Sequence, residues 1–199
     1  MVTLQSSIGG RMMADDELAA LVGSRLCHDL VSPLGAIGNG VELLGMIQNA
    51  SDELGLVEDA VQVAQARIKL FRLAFGRAHD MQDIRPSEIE EAASSLSAAG
   101  RLRIRNDIAQ PLPRMRVKRL MLALLCLESA LAYGGEVVIT PDGVSAHAAR
   151  LRIDPDPWSA LAAGQPPAEP RSDIVQFILL VRTGPVVVDE AEGHLAIRV

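Results

Sequence analysis

Cysteine is scarce in this sequence of 199 residues: only Cys27 and Cys126 occur. Two thiols do not make a disulfide framework, and so few cysteines point to a reducing compartment. Aromatic residues make up 3%, so a core of stacked rings is excluded and Ala, Leu and Val must supply the packing. Excess positive charge is also missing. A net charge of −6 with a pI near 5.2 sets aside a general binder of nucleic acid or anionic membrane, which needs a basic face. No apolar run approaches the roughly 20 residues of a membrane span, and Met121 to Leu127 is among the longest. The N-terminus has Arg11 but no apolar stretch before a cleavage site, so no secretory signal is expected and the cytoplasm is the expected location. Zinc-type Cys/His spacings are absent, and no metal or cofactor site is expected.

What is present suffices for a folded chain. Hydrophobic residues reach 49% and charged residues 22%, which excludes a disordered chain and allows one large domain or two small ones. Residues 1–13 carry no sustained period and are expected to be a flexible tail. Asp15-Asp16-Glu17 then places acid at the head of a helix, where the macrodipole favours it. The apolar positions Leu18, Leu21, Leu26, Leu30, Leu34, Ile37, Val41 and Leu44 continue it at spacings of three and four. Gly35, Gly38, Gly40 and Gly45 each cost up to about 1 kcal/mol within a helix, and Pro33 is expected to kink it or loosen a turn. Gln48-Asn49-Ala50-Ser51 reads as a turn, and Leu54, Val57, Val61, Ala64, Ile68, Phe71 and Phe75 mark a second helix. Two long helices joined by a short turn form an antiparallel hairpin. Such a hairpin cannot enclose a core alone. Dimerisation into a four-helix bundle would complete one, although the pattern by itself leaves monomer and dimer open.

A boundary is expected near Arg85-Pro86-Ser87, giving a hairpin domain over 14–80 and a second domain over 81–199. The second domain reads as a helix from Ser87 to about Ala99, a strand at 102–105, an apolar helix from Lys118 to Tyr133, strands at 137–140 and 145–153, a helix from Asp173 to Arg182, and strands at 185–188 and 194–198. The segment 154–172 holds five prolines and is expected to be mostly loop, with a short helix near Trp158 to Ala163. Trp158 is open to two readings, an exposed partner anchor or a buried lid residue. The expected fold class is α+β: a helical hairpin followed by an α/β sandwich with a largely antiparallel sheet covered on one face by helices.

The chemistry centres on His28-Asp29-Leu30-Val31-Ser32-Pro33-Leu34-Gly35-Ala36-Ile37. A histidine presented on a helix can act as a nucleophile or carry a proton. Cys27 beside His28 makes a poor thiol dyad, because adjacent side chains diverge on a helix. The second His-Asp dipeptide, His79-Asp80, has no comparable context. His147 and His194 fall in strand-like segments, which leaves too few converging ligands for a metal phosphohydrolase. His-Asp-Leu-x-Ser-Pro-Leu-x-Ala-Ile closely resembles the phosphoacceptor box of sensor histidine kinases. The order of elements matches as well, and the run from Val175 to Val199 resembles the last helix and hairpin of the kinase ATP-binding domain.

Two departures from the kinases stand out. Their ATPase fold carries an Asn box on its first core helix to hold magnesium, whereas the helix here offers Glu128 and Ser129. Their Asp-x-Gly-x-Gly loop is replaced by Asp154-Pro155-Asp156-Pro157-Trp158, where proline removes N–H donors that would wrap a phosphate. No ATP binding is therefore expected. A kinase-like scaffold without nucleotide resembles the histidine phosphotransferases of the ChpT type, over about Asp15 to Val199. That resemblance implies a homodimer. It also implies phosphoryl shuttling from the receiver domain of a hybrid histidine kinase, through His28, to the receiver domains of response regulators, with Mg²⁺ supplied by the receiver.

Helical geometry adds candidate neighbours. Ser24, Ser32, Gly35 and Asn39 share the stripe of His28 and would let a receiver approach, with Arg25 beside them. Asp29 is about 100° round the helix, where it would orient the imidazole or accept its proton. Leu26, Leu30, Pro33 and Ile37 fall on other faces and are expected to build the bundle. If the turn centres near Ala50, His28 faces the level of Lys69 to Gly76, so Lys69 and Arg72 are candidates for stabilising a phosphorylated histidine. The rival to a phosphotransferase is a catalytically silent adaptor that binds receivers or kinases, and a third reading is an active histidine kinase.

Overall fold

The structure, a computed structural model, describes residues 15–44, 46, 51–78 and 82–199. The tail expected over 1–13, the turn at Gln48-Asn49-Ala50 and the His79-Asp80 dipeptide lie outside the described residues, as does the side chain of Cys27. Helix α1 runs from Asp15 to Leu44 and passes through Pro33 without a break. The proline gives up one N–H, the donor that would otherwise reach the carbonyl of Asp29. Helix α2 runs from Ser51 to Phe75 and packs along α1. Its other side buries Ala66, Leu70 and Ala74, and it packs on α3 (Pro86–Ser97) and α4 (Arg114–Ala130). Two small residues in that face let the helices approach closely.

The C-terminal part is one mixed sheet backed by helices. Strands β2 (Leu102–Asn106), β4 (Gly135–Thr140), β5 (Gly143–His147), β6 (Val187–Ala191) and β7 (His194–Arg198) lie in the order β2-β4-β5-β7-β6. Only the β2–β4 pair is parallel. Period-two alternation decides the faces. Val137, Ile139, Val144, Ala146, Leu195 and Ile197 point into the core, while Arg103, Arg105, Glu136, His147 and Arg198 point to water. The α+β class is therefore as expected. Two short strands, β1 (Asp83–Ile84) and β3 (Leu112–Pro113), add an antiparallel ladder that the sequence did not suggest.

Several boundaries moved, each for a local reason. Helix α4 begins at Arg114, before the expected Lys118, because Pro113 precedes it with φ −54° and needs no helical N–H bond. It ends at Ala130, where Leu131 leaves the helical conformation and donates its N–H to the Glu128 carbonyl. Gly134 follows with φ +91°, and a Cβ there would meet the Arg101 carbonyl oxygen at 2.5 Å. Strand β5 stops at His147, where its pairing with β4 and β7 ends. Helix α5 (Pro155–Ala162) starts before Trp158, since prolines in a first turn forfeit nothing the helix uses. Helix α6 (Val175–Arg182) is entered through a short 3-10 turn at Ser172–Ile174. Trp158 resolves to the buried alternative: it is 5% exposed and meets Phe177 edge to face at 5.2 Å.

From Leu120 to Leu127 helix α4 is apolar all round, because it is enclosed by α2, α6 and β5. Leu120 to Leu127 are all essentially inaccessible to water. Leu124→Ala should therefore leave a cavity and cost about 2–5 kcal/mol, read from the shift in a urea unfolding curve. A loss below about 1 kcal/mol would mean that this helix is not the packed centre.

Candidate functional site

His28 stands on the middle of α1 with its side chain 83% exposed, whereas the adjacent Asp29 is 5% exposed. The two side chains point about 100° apart round the helix: His28 falls on the open face, and Asp29 on the face that meets Arg67 of α2. The imidazole Nδ1 lies 2.9 Å from Asp29 Oδ1. The other carboxylate oxygen, Oδ2, accepts from Arg25 Nε at 2.8 Å and from Arg67 Nη2 at 3.2 Å. Arg67 comes from α2. Its Nη1 and Nη2 also donate to Glu128 Oε1 on α4, at 3.3 and 3.2 Å. Glu128 Oε2 lies 3.9 Å from Arg25 Nη2, an electrostatic contact without a hydrogen bond. Arg25 finally donates from Nη1 to the backbone carbonyl of Asp173 at 3.2 Å, tying α1 to the turn before α6.

Two arginines and two carboxylates thus balance in a site from which most water is excluded, with side chains 5–19% exposed. Charges so placed need near-complete mutual pairing to offset their desolvation. The outcome is an aspartate held from behind that offers one oxygen to an exposed imidazole. Such an arrangement orients the ring and places a negative charge beside it.

The expected neighbours fare differently. Ser24, Ser32, Gly35 and Asn39 are exposed on the face of His28, and a Cβ on Gly35 would meet nothing within 4 Å. Arg25 is not a free docking residue, because Asp29 and Asp173 engage it. Leu26, Leu30, Pro33 and Ile37 are half-buried. The estimated helix register needs correction. Asp29 meets Arg67, so the level of His28 on α2 falls before Lys69 and Arg72. Lys69 bonds Glu91, and Lys69 and Arg72 line a separate cleft with Arg77, Arg85 and Arg114, to which His28 does not contribute. Equal helical rise placed the partner too late because it assumed a turn centred on Ala50.

Sequence reasoning missed Arg67 and the role of Glu128. Each left a faint signal. Arg67 is a cation within the apolar pattern of α2, and Glu128 is the lone carboxylate of α4, at the end of its apolar run Leu120 to Leu127. Ionic residues in such places are usually paired, but spacing cannot say with what.

With this geometry in view, the likeness to known proteins is direct. The family described as the histidine phosphotransferase C-terminal domain matches residues 86–195. The chain belongs to the histidine phosphotransferase family. Within it the likeness is to the ChpT type: the protein phosphotransferase ChpT of Brucella abortus (strain 2308) is 30% identical over 164 residues, which cover 77% of this chain and 78% of that protein. A solved bacterial phosphotransferase superposes with a TM-score of 0.75 at 26% identity, covering 94% of this chain and 97% of the other. A histidine kinase domain from Erythrobacter litoralis is a far weaker likeness, with a TM-score of 0.43 at 14% identity.

Arg67→Ala would leave Glu128 without its hydrogen bonds and Asp29 with one arginine. We expect a loss of roughly 3 kcal/mol in unfolding free energy, measured by urea denaturation. A change within the range of surface ion pairs, below about 1 kcal/mol, would show that the network does not hold the helices together.

Proposed function

We propose that His28 accepts a phosphoryl group from the phosphorylated aspartate of a receiver domain and passes it to response-regulator receivers. The observation that carries this reading is the exposed imidazole backed by a buried, fully engaged aspartate. An adaptor that only binds has no use for a ring so presented. The open surface around it, formed by Ser24, Ser32, Gly35 and Asn39, leaves room for a second protein to come within bonding distance. Phosphoryl transfer asks mainly for in-line positioning and charge stabilisation. The receiver would bring Mg²⁺ and its own cation. This chain would bring the nucleophile and the docking face.

The donor is a protein and not ATP in this reading. Support comes from α5, whose prolines stand where a phosphate-wrapping loop would need N–H groups, and from Trp158 packed on Phe177 beneath it. Glu128, at the place of the kinases' magnesium-holding Asn, is engaged with Arg67. No helix of the described residues is long and apolar enough to cross a membrane, in keeping with an expected place in the cytoplasm.

A homodimer completes the reading. Val31, Leu34 and Val41 on α1, with Leu54 and Ile68 on α2, are 46–67% exposed. This apolar face flanks His28 without including it, so a second helix pair would cover it while leaving the imidazole open. In such a four-helix bundle each protomer would present one histidine.

Incubation with a phosphorylated receiver domain is expected to label the wild-type chain and not His28→Ala, with ATP alone giving no label. Label that survives the substitution would remove His28, and label from ATP alone would favour a kinase. Binding of the receiver without any transfer would favour the adaptor. Leu34→Glu should convert the dimer to a monomer in sedimentation velocity, and an unchanged sedimentation coefficient would exclude this face as the interface.

A further inference from the structure

Asp29 has two oxygens and three hydrogen-bonding neighbours, and the structure sorts them. Both arginines use Oδ2, while Oδ1 is kept for His28 Nδ1. This is not what an arginine and a carboxylate do when left alone, since a guanidinium prefers two parallel bonds to both oxygens. Arg67 is prevented from doing so by Glu128. Because its Nη1 and Nη2 both point to Glu128 Oε1, at 3.3 and 3.2 Å, only Nη2 is shared with Asp29. The restraining carboxylate sits on α4, in the other domain from the histidine.

We propose that Glu128 is a positioning residue for the transfer assigned to His28. By turning Arg67 edge-on, it reserves Asp29 Oδ1 for the imidazole and locks His28 as the Nδ1–H tautomer with Nε2 free to attack. The consequence for catalysis rests on the phosphotransferase reading; the lock itself rests on geometry. A carboxylate only accepts, so a hydrogen bond to it requires the proton on Nδ1. Nε2 then carries the lone pair. In the step, that pair forms the N–P bond as the P–O bond to the donor aspartate breaks. The donor carboxylate leaves with the bonding electrons, and Nδ1 keeps its proton. The ring gains positive charge as the bond forms, and Asp29 lies against that charge. A core helix of the domain that resembles an ATP-binding fold thus acts on the histidine through a carboxylate, without a nucleotide.

The test uses Glu128→Gln, which keeps the shape and removes the charge. Two readouts apply to the full chain: the tautomer of His28 by ring ¹⁵N NMR, and phosphorylation by phosphoramidate. That small donor transfers phosphoryl with loss of ammonia and needs no receiver docking. Wild type is expected to show the Nδ1–H ring. In Glu128→Gln, Arg67 should clamp both Asp29 oxygens, the ring should shift toward Nε2–H, and labelling should slow roughly tenfold or more. Adding Arg67→Lys removes the fork that forms the clamp, so the double variant should recover the Nδ1–H ring. A merely structural role predicts a double variant worse than either single one. An unchanged tautomer in Glu128→Gln, or no recovery in the double variant, overturns the proposal. If Glu128→Gln does not fold, Arg67→Lys alone decides: the Nδ1–H ring should persist, and its loss is the overturning result. A wild-type chain that holds the Nδ1–H ring but takes no phosphoryl from phosphoramidate or a receiver sinks the transfer reading alone, while the tautomer in the variants still decides the lock.

Discussion

The pairing of Asp29 with Arg25 and Arg67, and of both arginines with Glu128, is the interaction on which the arrangement depends. Four charges are drawn from α1, α2 and α4 into a site with little water. Each would be costly there alone, and together they offset one another. Satisfying them sets the rotation of α1, because Asp29 must face Arg67 of α2. That rotation turns the neighbouring residue, His28, outward. The exposure of the imidazole and the burial of the carboxylate are therefore one fact seen from two sides of a helix.

The same pairing joins the two parts of the chain. α2 is the shared wall: it packs on α1 with one face and on α3 and α4 with another. Arg114 and Lys118 of α4 donate to the carbonyls of Arg72, Leu73 and Phe75 at the end of α2 and of Gly76 just beyond it. A helix end leaves such carbonyls short of donors, although Arg72 O also accepts from the Gly76 N–H at 3.2 Å. Desolvation lowers the pKa of both cations from the ordinary range, yet each is compensated by a capped helix end. The C-terminal domain thus grips α2 at its end by hydrogen bonds and at its middle by Arg67.

The structure also divides the surface of α1 into three. One face meets α2 through Asp29 and Arg67 and carries the half-buried Leu26, Leu30, Pro33 and Ile37. A second is polar and small around His28. The third is the exposed apolar stripe of Val31, Leu34 and Val41. In the proposed dimer, a helix of 30 residues serves a core, a partner receiver and a second copy without conflict, because the three faces do not overlap. The glycines fit this division. Gly35 and Gly38 face open space, so the intrachain core does not explain them; in the proposed function, their cost to the helix would be set against close approach by another chain.

Much of this was legible beforehand. Periodicities of 3.6 and 2 gave both long helices and most strands of the sheet, since these depend on which residues must be hidden and on how far apart they lie. The His28-to-Ile37 pattern singled out the histidine, because the neighbours that make it distinctive are adjacent in sequence. Helices α4 and α5 start earlier than the periodic pattern suggests, because Pro113 and Pro155 serve as openings of a helix and not as interruptions. Arg67 and Glu128 were beyond reach for a different reason. They lie 38 and 99 residues from Asp29 in sequence. The sequence by itself determined that a histidine sits on a helix beside an acid, through local order and helical geometry. Only the tertiary structure decided which oxygen of that acid the histidine receives, because that depends on charges brought together across three helices by the packing of the whole chain.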